Sequence, residues 1–213
     1  MNKQLTQHSY SLYAYKIACM FLLLLVFPSA FAQPLNDYIL KEAYRYTSGR
    51  YVLSSTGCPE HLVYADDTIL KKSASGTYCS GYTFTVFFNT MKEHHRFEGK
   101  SSDELRKIQK DWYGITRDAT ETQCLFVLEQ QGWGRKIAFD EAQPGDFVQF
   151  WRNNQSGHSV IFLGWERDST GHIIAMKYRS SQLKTDGVGD RTELIGSGPK
   201  ELNRNRIYLA RLE

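Results

Sequence analysis

Several protein classes are set aside by what this 213-residue chain has little of. It contains four cysteines, five prolines and no strong excess of either charge, with 26 basic residues against 23 acidic ones. No internal repeat, heptad run or low-complexity segment interrupts it, which argues against solenoids, coiled coils and disordered linkers. A dedicated nucleic-acid-binding domain usually shows a basic excess, and the near-balance here excludes that class of partner. His94 and His95 are adjacent, so on a helix they project about 100° apart and cannot converge on one ion as an i, i+4 pair does. No metal site and no organic cofactor is expected. Gly187-Val188-Gly189 and Gly196-Ser197-Gly198 lack the strand-then-helix context of a phosphate loop and read as turns.

Long hydrophobic runs are also scarce. The one pronounced run, Ile17 to Phe27, has eleven residues. A bilayer-spanning helix needs about 20. Lys3 and Lys16 precede or flank that run, and the small-residue site Ala30-Phe31-Ala32 follows it. This order reads as a signal peptide, residues 1–32, cut after Ala32. The expectation is an exported protein, periplasmic or secreted, with no stable membrane insertion after processing. Cleavage removes two lysines and no acid, which brings the charges closer to balance. Residues 33–213 suit a single domain with a sizeable core.

Three cysteines follow the leader: Cys58, Cys79 and Cys124. An odd number in an exported chain suggests one disulfide and one free thiol. Three pairings are possible; the local contexts favour a Cys58–Cys124 bridge with Cys79 free. The alternative is three reduced cysteines acting as small buried hydrophobes.

Asn36 is positioned to cap a first helix running to about Tyr46. A loop-rich stretch, 51–77, follows. From Cys79 to His94, Phe84, Phe87, Phe88 and Met91 recur at helical spacing, which predicts a buried helix despite β-prone residues within it. Ser101 with Glu104 forms a capping-box pattern for a helix to about Tyr113. Asp118 with Glu121 repeats the pattern for a helix to Gln131, stopped by Gly132. Phe147–Trp151, His158–Trp165, Ile173–Arg179 and Arg206–Leu212 then read as strands, the second and third joined by a turn at 168–171. Helices followed by an antiparallel sheet define an α+β fold, with N-terminal helices packed on a C-terminal sheet.

Cys79 opens the apolar helical segment between Gly76 and Gly81. A thiol at a helix N-terminus lies near partial positive charge and unpaired N–H groups, which favour the thiolate. Those N–H groups, of Cys79 and Ser80, can also hold an oxyanion during acyl transfer. His158 opens the strand His-Ser-Val-Ile-Phe-Leu-Gly after a flexible turn. From a strand end its imidazole can reach a helix terminus packed on the sheet and move protons to and from sulfur. Taken alone, Cys79 could instead be half of a disulfide and His158 a hydrogen-bonded structural residue.

The ordered set of segments changes that balance. Tyr78-Cys79-Ser80-Gly81, then Pro144-Gly145-Asp146-Phe147-Val148-Gln149-Phe150-Trp151, then Gly157-His158-Ser159-Val160-Ile161-Phe162-Leu163-Gly164, resembles the motifs of NlpC-type cell-wall cysteine peptidases. The related CHAP amidases share this order. The resemblance spans residues 76–88 and 142–182, and it implies a circularly rearranged papain-like core. Two departures stand out: Tyr78 occupies a position usually acidic, and Cys79 and His158 are widely separated in sequence.

The resemblance also implies a third group on the strand after His158, within Tyr178-Arg179-Ser180-Ser181-Gln182. A regular hairpin puts Ser181 opposite His158, whereas a one-residue bulge brings Ser180 or Gln182 there. Gln182 is the better orienter because its amide oxygen accepts an imidazole N–H. The expected function is an exported cysteine hydrolase that cleaves an amide bond in peptidoglycan, as endopeptidase or amidase, through a Cys79 thioester. Alternatives are a catalytically silent wall-binding or inhibitory module on the same scaffold, and a secreted effector amidase or acyl transferase. A protein inhibitor is a further possible partner.

Overall fold

The computed structural model describes residues 35–47 and 49–213. The leader and its cleavage site lie outside the described residues. The remainder folds as α+β: four α-helices, a two-stranded hairpin and a six-stranded antiparallel sheet.

The helices are α1 (Asn36–Ala43), α2 (Cys79–Glu93), α3 (Ser102–Trp112) and α4 (Cys124–Gln131). The hairpin pairs β1 (Leu62–Tyr64) with β2 (Asp67–Leu70), inside a stretch expected to be loop. The large sheet contains β3 (Gly134–Ile137), β4 (Phe147–Arg152), β5 (Gly157–Arg167), β6 (Ile173–Gln182), β7 (Gly187–Leu194) and β8 (Leu202–Leu212). Its order is β3-β8-β4-β5-β6-β7. Strand alternation sends Phe147, Ile161, Ala210 and Leu212 to the helix-covered face. It sends Val148, Phe150, Val160, Phe162, Tyr178 and Leu209 to a second apolar cluster on the other face.

α2 is buried nearly all round, which explains why its sequence lacks a clean polar stripe. Phe87 stacks on Trp112 at 4.4 Å between centroids, and Phe84, Phe88 and Phe97 close the cluster around them. Each fully buried phenylalanine contributes about 1.5–3 kcal/mol by leaving water. The helix that carries the candidate nucleophile is therefore fixed by core packing. Its first turn is fixed by backbone contact as well. A β-carbon on Gly81 would run into the backbone of Gly57, whose own φ is +65°. Tyr78 N–H donates to Gly57 O at 3.4 Å across the same junction.

Four expectations need correction. Asn36 does not cap α1; it is the first helical residue, and its side chain donates to Pro144 O (2.9 Å) and Asp146 Oδ1 (3.0 Å). The helix expected from Asp118 starts only at Cys124, because Gln123 adopts φ 44°, ψ −102° and residues 118–123 form turns. Glu121, expected in a capping box, instead accepts from Arg206 and from Tyr208 Oη. Gly187 and Gly189 open strand β7, paired with Gln182 and Ser180, instead of forming a free turn. Finally, Cys58 and Cys124 are not bridged: Cys58, Cys79 and Cys124 are all free thiols. The sulfur of Cys58 lies against Thr85 Oγ1 (3.4 Å) and Tyr113 Oη (3.5 Å), while Cys124 is buried at the start of α4. The Ser101–Glu104 capping box does form, with Ser101 N–H donating to Glu104 at 2.8 Å.

Candidate active site

Cys79 is the first residue of α2, after Tyr78 in extended conformation. No side chain caps this helix start, and the first backward bond runs from Tyr82 N–H to Tyr78 O at 2.9 Å. The N–H groups of Cys79, Ser80 and Gly81 are thus the orphan donors that every helix start leaves. Cys79 is half-buried, so its sulfur is reachable from the cleft. Thr83 Oγ1 donates back to Cys79 O at 3.0 Å, and Trp112 Nε1–H donates to Thr83 Oγ1 at 3.1 Å. The nucleophile's turn is in this way tied to the aromatic core.

His158 comes from the start of β5 and is almost fully buried. Phe150 and Tyr178 meet its ring edge-on at 5.6 and 5.8 Å. Its Nε2 is 3.2 Å from Gln182 Oε1, and Gln182 Nε2–H donates to Gly189 O at 3.3 Å. Since the amide oxygen can only accept, this contact fixes the proton on Nε2 and leaves Nδ1 as the ring nitrogen available to a thiol. Hairpin register explains why Gln182 takes this place. Bulges between β5 and β6 shift the pairing, and the pair Ile161–Arg179, continued three residues, puts Gln182 opposite His158. Ser181 instead shares a 2.7 Å hydrogen bond with Thr77, and Ser180 Oγ donates to Ser159 O at 2.7 Å.

Cys79 and His158 line one open cleft of ≈ 190 Å³, together with Ser80, Gln123, Gln149, Trp151, Gly157 and Ser159. Burial opposes ionisation of the Cys79 thiol. The nearby His158 imidazole, then the Ser159 backbone and the Ser80 hydroxyl, outweigh it and lower the pKa from 9.0 to about 7. The other two thiols go the opposite way. Burial raises Cys58 despite hydrogen bonds from Thr85 and Tyr113, and it pushes Cys124 up to about 12. Among the described cysteines Cys79 alone is therefore prepared to react at neutral pH.

Five cleft residues, Gln123, Gln149, Trp151, Gly157 and Ser159, go beyond the candidates read from the sequence. Gln149 had a signal: a polar residue in the otherwise apolar strand Phe-Val-Gln-Phe-Trp. Gln123 had none, because it arrives through a backbone turn. His94 stacks edge-on to Tyr38, and His95 pairs with Glu98, so the two adjacent rings serve different partners. Tyr64 donates to Phe97 O at 2.6 Å, and Tyr78 packs edge-on to Tyr113. Among the described residues no helix is long and apolar enough to cross a membrane. What the fold and cleft define is an α+β domain with a thiol–imidazole–carboxamide row. No family model, curated protein or solved structure matches this chain.

Proposed function

We propose that the chain is an exported cysteine hydrolase with a papain-like arrangement of the NlpC and CHAP kind, cleaving an amide bond in peptidoglycan. The observation that carries this reading is the half-buried Cys79 at an uncapped helix start, with its pKa lowered to about 7 by His158. Export follows from the leader-like first 32 residues, and the wall substrate from the motif resemblance.

Cys79 thiolate attacks the carbonyl carbon of the scissile amide. The N–H groups of Cys79 and Ser80 receive the developing negative charge on the carbonyl oxygen. His158, carrying the thiol proton, delivers it to the departing amine, and a thioester remains on Cys79. His158 then takes a proton from water as it attacks the thioester, which releases the acid and restores the thiol. Gln182 keeps the imidazole in the tautomer and orientation these transfers need.

The direct test is release of new amino and carboxyl termini from purified wall fragments by the full protein and by Cys79→Ala. Release that depends on Cys79 supports the reading; equal release by both proteins ends it. No turnover from either, with an unreactive Cys79, favours a silent binding or inhibitory module.

A further inference from the structure

The wall of the cleft facing Cys79 carries a proton-counting problem. Ser159 Oγ lies 2.7 Å from Gln149 Oε1 and 3.0 Å from Gln123 Oε1. A hydroxyl has one proton to give and two lone pairs to accept with, so it cannot donate to both oxygens. Gln149 is fixed, because its Nε2–H donates to Phe150 O at 3.3 Å. The proton therefore goes to Gln149. The Gln123 amide nitrogen has only a 3.5 Å approach to Thr120 O. Exchanging its amide nitrogen and oxygen, which are nearly indistinguishable by shape, lets Gln123 donate to Ser159 and completes the chain of bonds. One N–H of Gln123 is then left over at the cleft.

Gln123 reaches this position through backbone that few residues adopt, φ 44°, ψ −102°, while most of the α4 it precedes is regular. Gly114, itself at φ +67°, leaves the space its side chain occupies; a β-carbon there would meet the Gln123 carboxamide at 2.8 Å. Strained backbone held by its surroundings is characteristic of functional sites. None of the eight residues lining the cleft is Lys, Arg, Asp or Glu, so its one ionisable pair is Cys79 with His158, which the proposed mechanism already uses. Arg206, whose guanidinium lies over the Trp151 ring at 4.7 Å, is paired with Glu121, and Arg152, next to Trp151 in β4, is paired with Glu193.

We propose that Gln123 is a specificity-determining residue, and that the Gln149–Ser159–Gln123 row selects substrates whose group beside the scissile amide is an uncharged carbonyl or carboxamide over those with a free carboxylate. This rests on the hydrolase reading above. A carboxamide offers an oxygen to the spare Gln123 N–H and carries no charge that needs a counter-ion. A carboxylate in the same place would lose water without gaining a cation other than His158, which is already matched by the Cys79 thiolate, and that is costly.

The test uses two wall-type peptides that are identical except for carboxamide or carboxylate on the residue whose carbonyl is attacked. The full protein is expected to favour the amidated peptide by roughly 10- to 100-fold in kcat/KM, the range set by one unsatisfied polar contact. Gln123→Arg should reverse the preference, and Gln123→Ala should bring the ratio towards one. Circular dichroism and Cys79 alkylation rates check that both variants remain folded with an intact thiol. Equal turnover of the two peptides by the wild-type protein, or a ratio unmoved in both variants, would overturn the proposal and leave the hydrolase reading standing. Cys79-independent or absent turnover of both peptides would instead remove the hydrolase reading on which it rests.

Discussion

Two buried polar clusters stand on the same antiparallel sheet and have opposite characters. In one, Asp146 accepts four hydrogen bonds: from Asn36 (3.0 Å), from Gln143 N–H (2.8 Å) and two from Arg211 (both 2.8 Å). Asp146 is 0 % exposed and Arg211 6 %. It is a closed cluster, with both carboxylate oxygens filled and the opposite charge in contact. In the other, Cys79 and His158 line one open cleft, with Gln182 behind the imidazole at 3.2 Å and helix-start N–H groups left uncapped. The first cluster joins α1, β8 and the residues before β4. The second holds an ionisable sulfur where a substrate can reach it. Asp146 and Cys79 both fall in the segments on which the proposed hydrolase reading leans, yet Asp146 is tied into the scaffold by Asn36 and Arg211, and only Cys79 is assigned the chemistry by that proposal.

Substitutions should separate the two clusters, and the expected effects fall in order. Cys79→Ala is expected to lower turnover by at least about 10⁴-fold, because the covalent route disappears. Its melting temperature should stay close to the wild type, since no buried partner of the sulfur carries a fixed charge; a collapse of the fold in calorimetry would contradict this. Arg211→Met should show the reverse. Leaving a buried carboxylate without its cation costs about 3–5 kcal/mol of stability, read by denaturant unfolding. The protein that remains folded should keep its rate per folded molecule. An Arg211→Met protein with full stability would mean that the closed cluster is not structural. Gln182→Leu comes last, with an expected loss of roughly 10- to 100-fold in kcat from a misoriented imidazole and little change in stability. An undiminished kcat would show that the ring is held by Phe150 and Tyr178 alone.

The scaffold cluster and the reactive one were unequally legible in the sequence. Cys79 and His158 each open a regular element, where sulfur and imidazole have a physical reason to sit, but it is the ordered set of segments around them that singles them out. Gln182 is preferred over Ser180 and Ser181 from the sequence on acceptor chemistry alone, while the bulges between β5 and β6 that bring it opposite His158 depend on tertiary pairing. Gln123 is not legible at all. The pattern Asp118–Glu121 favours a helix start, yet Glu121 finds Arg206 and Tyr208 in β8, and the turn that results delivers Gln123 to the cleft. The expected disulfide failed for a related reason. Counting cysteines says nothing about position: both thiols are buried in the helix-side core, Cys58 against the hydroxyls of Thr85 and Tyr113 and Cys124 at the start of α4. The α+β order itself was plain, because apolar spacing switches from helical to alternating near residue 133.

The central claim is that its surroundings, chiefly His158, ionise one sulfur. A lowered pKa means that the thiolate fraction of Cys79 rises through about pH 7, while an ordinary thiol stays protonated until about pH 9.0. Iodoacetamide alkylation of the full protein as a function of pH, with the labelled residue identified by peptide mapping, reads this directly; Cys58 and Cys124 are buried and should stay unlabelled. A rate that rises with a midpoint near 7, and moves upward in His158→Ala, is the predicted result. A midpoint at the ordinary thiol value in both proteins would contradict it.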